Sequence, residues 1–233
     1  MATRSKSLLG LGIYTVPEAA RLTRVAPKRI KRWIEGYNFK QRGEARSAAP
    51  LWQREIDSDE LVLSFRDLLE VRFVDAFRRY GVSWKVIRIA ARHAAEIVQD
   101  PHPFSTKKFK TDGRSIFADI VHDTGKPGLL DLHKDQWELK DIVDPFLFEG
   151  VEFSKIGIEP VRWWPLGTNR RVVIDPARSF GQPIIDPESI PTTILARAVK
   201  AEGSVDAVAR WYLVSPKAVR DAVEFENQLS KAA

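Results

Sequence analysis

One stretch of this chain admits few folds: Tyr14-Thr15-Val16-Pro17-Glu18-Ala19-Ala20-Arg21-Leu22-Thr23-Arg24-Val25-Ala26-Pro27-Lys28-Arg29-Ile30-Lys31-Arg32-Trp33. Thr15, with Glu18 three residues on, has the reciprocal pattern that starts a helix over about 16–22. Ala19, Ala20 and Leu22 offer small and apolar positions for a second helix to pack against. Pro27 suits the first position of that second helix, where its missing N–H would be unpaired anyway. Ile30, Trp33 and Ile34 recur at three- and four-residue spacing and make a buried stripe. Lys28, Arg29, Lys31 and Arg32 take the remaining surface, and Gly36 ends the helix. The segment reads as two short helices crossed at a tight turn, the second one densely cationic.

Charge sets this segment apart. The 233 residues carry a net charge of +6. Residues 1–54 hold 12 Lys and Arg against 3 Asp and Glu, whereas residues 55–233 hold 25 against 28. Basicity confined to one segment is the footprint of phosphate binding, since counterion release drives such association. Charge that serves only solubility is spread along a chain.

A β-hairpin is expected next, with Tyr37–Lys40 and Leu51–Arg54 as arms and a loose tip at 41–50 holding Arg42 and Arg46. Ser64 caps a helix to about Tyr80, and Ser83 caps another through Val98. Their apolar faces offer a dimer contact. Lys107–Thr111 and Arg114–Ala118 flank Asp112-Gly113, a strong hairpin signal. A helix is expected over Gln136–Phe148, and Ile156–Trp164 alternates as a strand does. Residues 171–193 suggest a short hairpin feeding helices at Ile194–Ala201, Val205–Tyr212 and Pro216–Gln228. The expected class is mainly α with small β elements. Three domains are expected: a winged helix-turn-helix with a helix pair over 12–100, an α+β region over 104–170, and a small winged-helix-like domain over 171–228.

The opening pattern returns near the C-terminus. Val214-Ser215-Pro216-Lys217-Ala218-Val219-Arg220 lies over Val25-Ala26-Pro27-Lys28-Arg29-Ile30-Lys31, each proline at a helix start. The same offset pairs Ser204 with Thr15, Ala209 with Ala20 and Trp211 with Leu22. In the second copy Lys217 and Arg220 sit beside Asp206, Asp221, Glu224 and Glu226, a balance that suits a protein partner better than phosphate.

No chemistry of catalysis is legible. With no cysteine in the chain there is no disulfide, thiolate nucleophile or cysteine metal cage, and a reducing cytoplasm is the expected home. His93, His102, His122 and His133 lack metal-ligand spacing. Asp119, Asp123, Asp131 and Asp135 near His122 and His133 read as solvated loop carboxylates. No phosphate-cradling glycine loop or nucleophile elbow appears. Neither an enzyme, a cofactor nor a metal is expected, and no apolar run approaches the ~20 residues of a bilayer span.

Two resemblances rest on these residues. Tyr14 through Trp33, with the hairpin and the helix pair 64–98, resembles the winged helix of MerR-type regulators, although Ala26 stands where that family has a capping Ser or Thr. Val173-Ile174-Asp175-Pro176, Phe180-Gly181-Gln182-Pro183, Ile190-Pro191-Thr192-Thr193, Glu202-Gly203-Ser204 and Ala222-Val223-Glu224-Phe225-Glu226 resemble the family termed domain of unknown function 433. Both ends in one chain are similar to the long VapB-type antitoxins. That resemblance implies an antitoxin that neutralises a PIN-type ribonuclease toxin and represses its own promoter, as a homodimer or a larger complex with the toxin.

On this reading Arg24, Lys28, Arg29, Lys31, Arg32, Arg42 and Arg46 face DNA, with Arg29 and Arg32 nearest base edges. Arg178, Phe180, Gln182, Trp211 and Tyr212 face the partner. Arg178, read as mobile, is placed to reach an acidic toxin site, whereas for Trp211 and Tyr212 simple core packing is equally open. The alternative is a one-component regulator whose middle region senses a ligand, with Trp137, Trp163 and Trp164 lining its pocket.

Overall fold

The computed structural model of the chain describes residues 8–110 and 148–231. The Asp112-Gly113 hairpin, His122, His133, Trp137 and nearly all of the expected helix at 136–148 lie outside the described residues.

Strand β1 (Tyr14–Thr15) leads into helix α1 (Val16–Thr23), where Thr15 accepts the Glu18 N–H and Glu18 accepts the Thr15 N–H at 2.8 Å. Helix α2 (Pro27–Ile34) follows after a left-handed residue at Arg24. Its N-cap, Ala26, makes no side-chain hydrogen bond. Ile30, Trp33 and Ile34 are buried, as their spacing predicts. Beyond the helix Gly36 has φ +77, and a Cβ there would lie 2.2 Å from the Ala48 carbonyl oxygen. Only glycine lets the chain turn so close to its own return strand.

The hairpin differs from expectation. Its arms are β2 (Tyr37–Gln41) and β3 (Glu44–Ala48), in register from Tyr37 opposite Ala48 to Gln41 opposite Glu44. The tip is therefore only Arg42-Gly43, both at positive φ, which is the two-residue turn that matches strand twist. Leu51–Arg54 is not the second arm. The Leu51 N–H donates to the Trp33 carbonyl at 2.8 Å, and Trp52 is buried with its indole N–H on Asp67 at 2.7 Å.

Strand β4 (Val62–Leu63) pairs with β1 and delivers the chain to α3 (Phe65–Arg79), capped by Ser64 and Asp67 as expected. Helix α3 is the centre of the core: Leu68, Leu69, Val71, Phe73, Val74 and Phe77 are all fully buried. Helix α4 (Trp84–Val98) packs beside it through Ile87, Ala90 and Ala94. The apolar faces of 64–98 are thus covered within one chain and do not supply a free dimer face. Residues 107–110 form a helical turn rather than a strand, because the Thr106 hydroxyl accepts the Phe109 N–H at 3.1 Å and starts a helix there.

Five short strands then form one antiparallel meander in chain order: β5 (Val151–Phe153), β6 (Pro160–Trp163), β7 (Val172–Ile174), β8 (Pro183–Ile185) and β9 (Ile190–Pro191). The strand expected over Ile156–Trp164 begins only at Pro160. The Ser154 hydroxyl accepts the N–H groups of Ile156 and Gly157 and folds that stretch into a turn. Trp163 on β6 lies opposite Ile174 on β7, so the sheet crosses the expected boundary at 170/171. Helices α5 (Thr192–Glu202), α6 (Val205–Tyr212) and α7 (Pro216–Ser230) complete the chain, with α7 against β7, β8 and α1. Among the described residues, helices combine with small antiparallel sheets, an α+β arrangement.

The two pattern copies share backbone detail. Arg24 and Leu213, at equivalent positions, both take the left-handed C-cap conformation, and Pro27 and Pro216 both open the following helix. They diverge at the paired Leu22 and Trp211, the first buried and the second 61% exposed. Ser215 caps α7 where Ala26 leaves α2 uncapped.

Candidate nucleic-acid interface

Helix α2 has two faces. Ile30, Trp33 and Ile34 turn inward, and the Trp33 ring stacks on Trp84 of α4 with centroids 6.0 Å apart. Lys28, Lys31 and Arg32, at i, i+3 and i+4, share the outward face and are exposed. Among the described residues no carboxylate lies within ion-pair distance of these three. The Arg32 guanidinium lies 3.9 Å from the centre of the Tyr37 ring, a contact that joins α2 to the root of the β2–β3 ribbon.

The ribbon stands clear of the core. Phe39, Lys40, Arg42, Arg46 and Ser47 are all exposed. Arg42 sits in the turn. Arg46 lies on β3 with Glu44 at 3.5 Å, both side chains well exposed, so the pairing is weak. Helix and ribbon together present six exposed cations that, among the described residues, no other element pairs: Lys28, Lys31, Arg32, Lys40, Arg42 and Arg46.

Two of the expected cations face elsewhere. Arg29 lies 3.2 Å from Asp75 of α3, and the other oxygen of Asp75 holds Arg79 at 2.6 Å. Arg29 also covers the Trp33 ring at 5.2 Å. Arg24 donates to Gln228 of α7 at 3.2 Å. The outward face of α2 therefore rests on Arg32 and the two lysines.

The candidate partner residues are also separated by the structure. The Arg178 guanidinium donates to Asp175 at 3.0 Å, to Asp186 at 2.8 Å and to Ser189 at 3.3 Å. It is fixed and compensated, not mobile, because the two carboxylates are supplied by the turns on either side of β8. Burial lowers its pKa, but the bonds to Asp186 and Asp175 outweigh this and raise it. Phe180, left-handed at φ 53, and Gln182 are exposed, and Tyr212 is half-buried. Trp211 and Leu213 project from the end of α6, the latter 88% exposed. Core packing is thus excluded for Trp211. Of the three tryptophans proposed to line a pocket, Trp163 is largely buried but borders a cleft with Arg24, Arg72 and Phe225, and Trp164 donates to Glu152 at 2.9 Å.

A buried polar cluster had no signal in the sequence beyond the cap at Ser64. Asp67 Oδ1 accepts the Trp52 indole N–H and lies 2.9 Å from Nε2 of His102, while its Oδ2 accepts the Ser64 N–H at 2.9 Å. Burial pushes its pKa up, yet the bonds from His102, Ser64 and Trp52 prevail and hold it below the ordinary value. One turn on, burial pushes Glu70 up to about 7, opposed in part by His102 and by the Ser105 N–H at 2.8 Å. Asp67 and Glu70 pin segment 52 and segment 102–105 to α3. Among the described residues, no three His, Cys, Asp or Glu side chains are grouped to hold a metal, and no helix is long and apolar enough to cross a membrane.

Among the described residues this arrangement exposes a cationic helix and ribbon in the N-terminal part and a tryptophan and a leucine at the end of α6. No family model matches the sequence. A protein of Mycobacterium tuberculosis (strain ATCC 25618 / H37Rv) named "Putative antitoxin VapB45" is 26% identical over 226 residues, spanning 91% of this chain and 92% of that protein. The crystal structure of Rv2018 from Mycobacterium tuberculosis has the same fold, with a TM-score of 0.69 at 23% identity, over 90% of this chain and 96% of that one.

Proposed function

We propose that this chain is the antitoxin of a toxin–antitoxin pair, a non-enzymatic protein that binds its own promoter DNA and neutralises a PIN-type ribonuclease. Helix α2 is the DNA-reading helix of a winged helix-turn-helix, and the β2–β3 ribbon is its wing. Lys28, Lys31, Arg42 and Arg46 neutralise phosphates, and Arg32 is placed for a base edge. The toxin meets the C-terminal unit, with Phe180, Gln182, Trp211 and Tyr212 as its contacts.

The observation that supports this reading best is the cationic face shared by α2 and the ribbon, on a chain that aligns along nine-tenths of its length with a relative named as an antitoxin. Trp211 adds a large exposed ring at the end of α6, the kind of residue that anchors protein interfaces.

A gel shift with the promoter fragment of the chain's own operon tests the DNA half. Replacing Lys28, Lys31 and Arg32 together by Ala is expected to abolish the shift, and each lost phosphate contact lowers the salt slope by about 1. Unchanged binding refutes it. Co-expression with the neighbouring reading frame, read as rescued growth and co-purification, tests the toxin half. A Trp211→Glu variant is expected to lose both.

A further inference from the structure

A cleft of about 550 Å³ opens between α1, α3, β6 and α7. Its walls bring Arg24, Arg72 and Arg79 together with one carboxylate, Asp75, and with the rings of Trp163 and Phe225. Volumes of this size take drug-sized ligands, which sites hold by apolar walls and a few converging polar groups.

The charges converge in a specific way. Asp75 is already shared between Arg29 at 3.2 Å and Arg79 at 2.6 Å, so it offers little repulsion to an incoming anion. Arg79 meets Asp75 through Nε at 2.6 Å, and Arg24 donates one N–H to Gln228. A guanidinium has five donors. Among the described residues these two arginines therefore keep donors for a ligand. Arg72 lies deeper, its guanidinium 5.1 Å from the centre of the Trp163 ring. The guanidinium covers one side of the ring, and a second planar group can pack beside this cation–ring pair.

The geometry points to a ligand site in this cleft for a small aromatic anion, a flat ring carrying a phosphate or carboxylate. The ring lies against Trp163 and Phe225, and the anionic group meets Arg24 and Arg79. Neither the DNA-binding face nor the exposed Trp211 takes part, so the site goes beyond the antitoxin reading and does not depend on it.

Isothermal titration of the full chain tests the site, with AMP and benzoate as probes and inorganic phosphate and benzyl alcohol as controls. Saturable binding of AMP or of benzoate is expected, at least tenfold tighter than either control. AMP alone assigns the site to a nucleotide, benzoate alone to an aromatic acid. The Arg24→Gln/Arg79→Gln double variant, at exposed positions and checked for an unchanged melting temperature, is expected to weaken binding at least tenfold. A Trp163→Phe variant tests the ring contact, with a smaller loss. No saturable binding of either probe, affinity for phosphate equal to that for AMP, or full affinity in the double variant overturns the assignment.

Discussion

The Tyr14 hydroxyl donates to the Gly181 carbonyl at 2.8 Å, joining positions 167 residues apart in the sequence. The bond is buried, and burial holds the phenol far above its ordinary pKa, with Asp175 and Glu18 adding to the effect. Beside it the Ile13 N–H donates to the Phe180 carbonyl at 3.1 Å. The N-terminal unit is thereby fastened to the loop before β8, and Arg21 and Arg24 extend the junction to Glu226 and Gln228 of α7.

Tyr14→Phe is expected to cost about 1–2 kcal/mol of stability in urea unfolding, because it leaves a buried carbonyl without its donor. Gly181→Ala is expected to cost more. Gly181 has φ +82, and a Cβ there would lie 2.3 Å from the Tyr14 hydroxyl. The double variant is expected to cost less than the two singles added, since the clashing oxygen is gone. Strict additivity would show that the two residues do not meet.

Arg29 and Arg32 are expected to part company in a promoter gel shift. Arg32→Ala removes an outward cation and weakens binding at least tenfold, whereas Arg29→Ala removes one already paired with Asp75 and changes it less than threefold. Asp75→Asn is expected to tighten binding at low salt by releasing Arg29. Equal losses for the two arginines would place Arg29 at the DNA.

Glu70 makes stability depend on pH. Its pKa rises from 4.5 to about 7 in the fold, so the folded state holds a proton there that the unfolded chain gives up between those values. Its stabilising protonation is complete below pH 4.5 and is lost as pH rises through about 7. Relative to Glu70→Gln, the wild type is expected to lose about 3 kcal/mol between pH 4.5 and 8. Parallel stability curves for the two proteins would refute the assignment.

Ala26→Ser is expected to stabilise the chain by about 1 kcal/mol, raising Tm by about 2–4 °C. Ala26 is extended at φ −56 and ψ 136, and it leaves the first turn of α2 uncapped. The gain should be absent in Ala26→Val, which has no acceptor to offer.

Much of the helical frame was legible because its signals are local. Caps at Thr15, Ser64, Ser83 and Ser204 and prolines at 27 and 216 all stand where the sequence puts them. The hairpin's first arm stands where it was expected, but its second arm was misplaced because Glu44-Ala45-Arg46-Ser47-Ala48 is largely exposed and carries no apolar side chain larger than alanine to mark a register. Strands β5 to β9 were partly hidden because pieces of two to four residues are too short to show a period. The site was harder to read for another reason. Composition reveals a cation, but only the fold reveals its partner, and Arg29, Arg24 and Arg178 each meet one from a distant or neighbouring turn. The cleft and the Asp67–His102 pair are built from residues far apart in sequence, which no local pattern records.

The aromatic packing around α3 has a topological consequence. Phe109 rests edge-on against Phe77, and Phe148 against Phe73, one helical turn away on the same helix. The chain thus departs at 110 and returns at 148 to almost the same place. One helix therefore holds both of these places, so a truncation at Phe73 or Phe77 is felt at residues 148 and 109 as directly as at α3 itself.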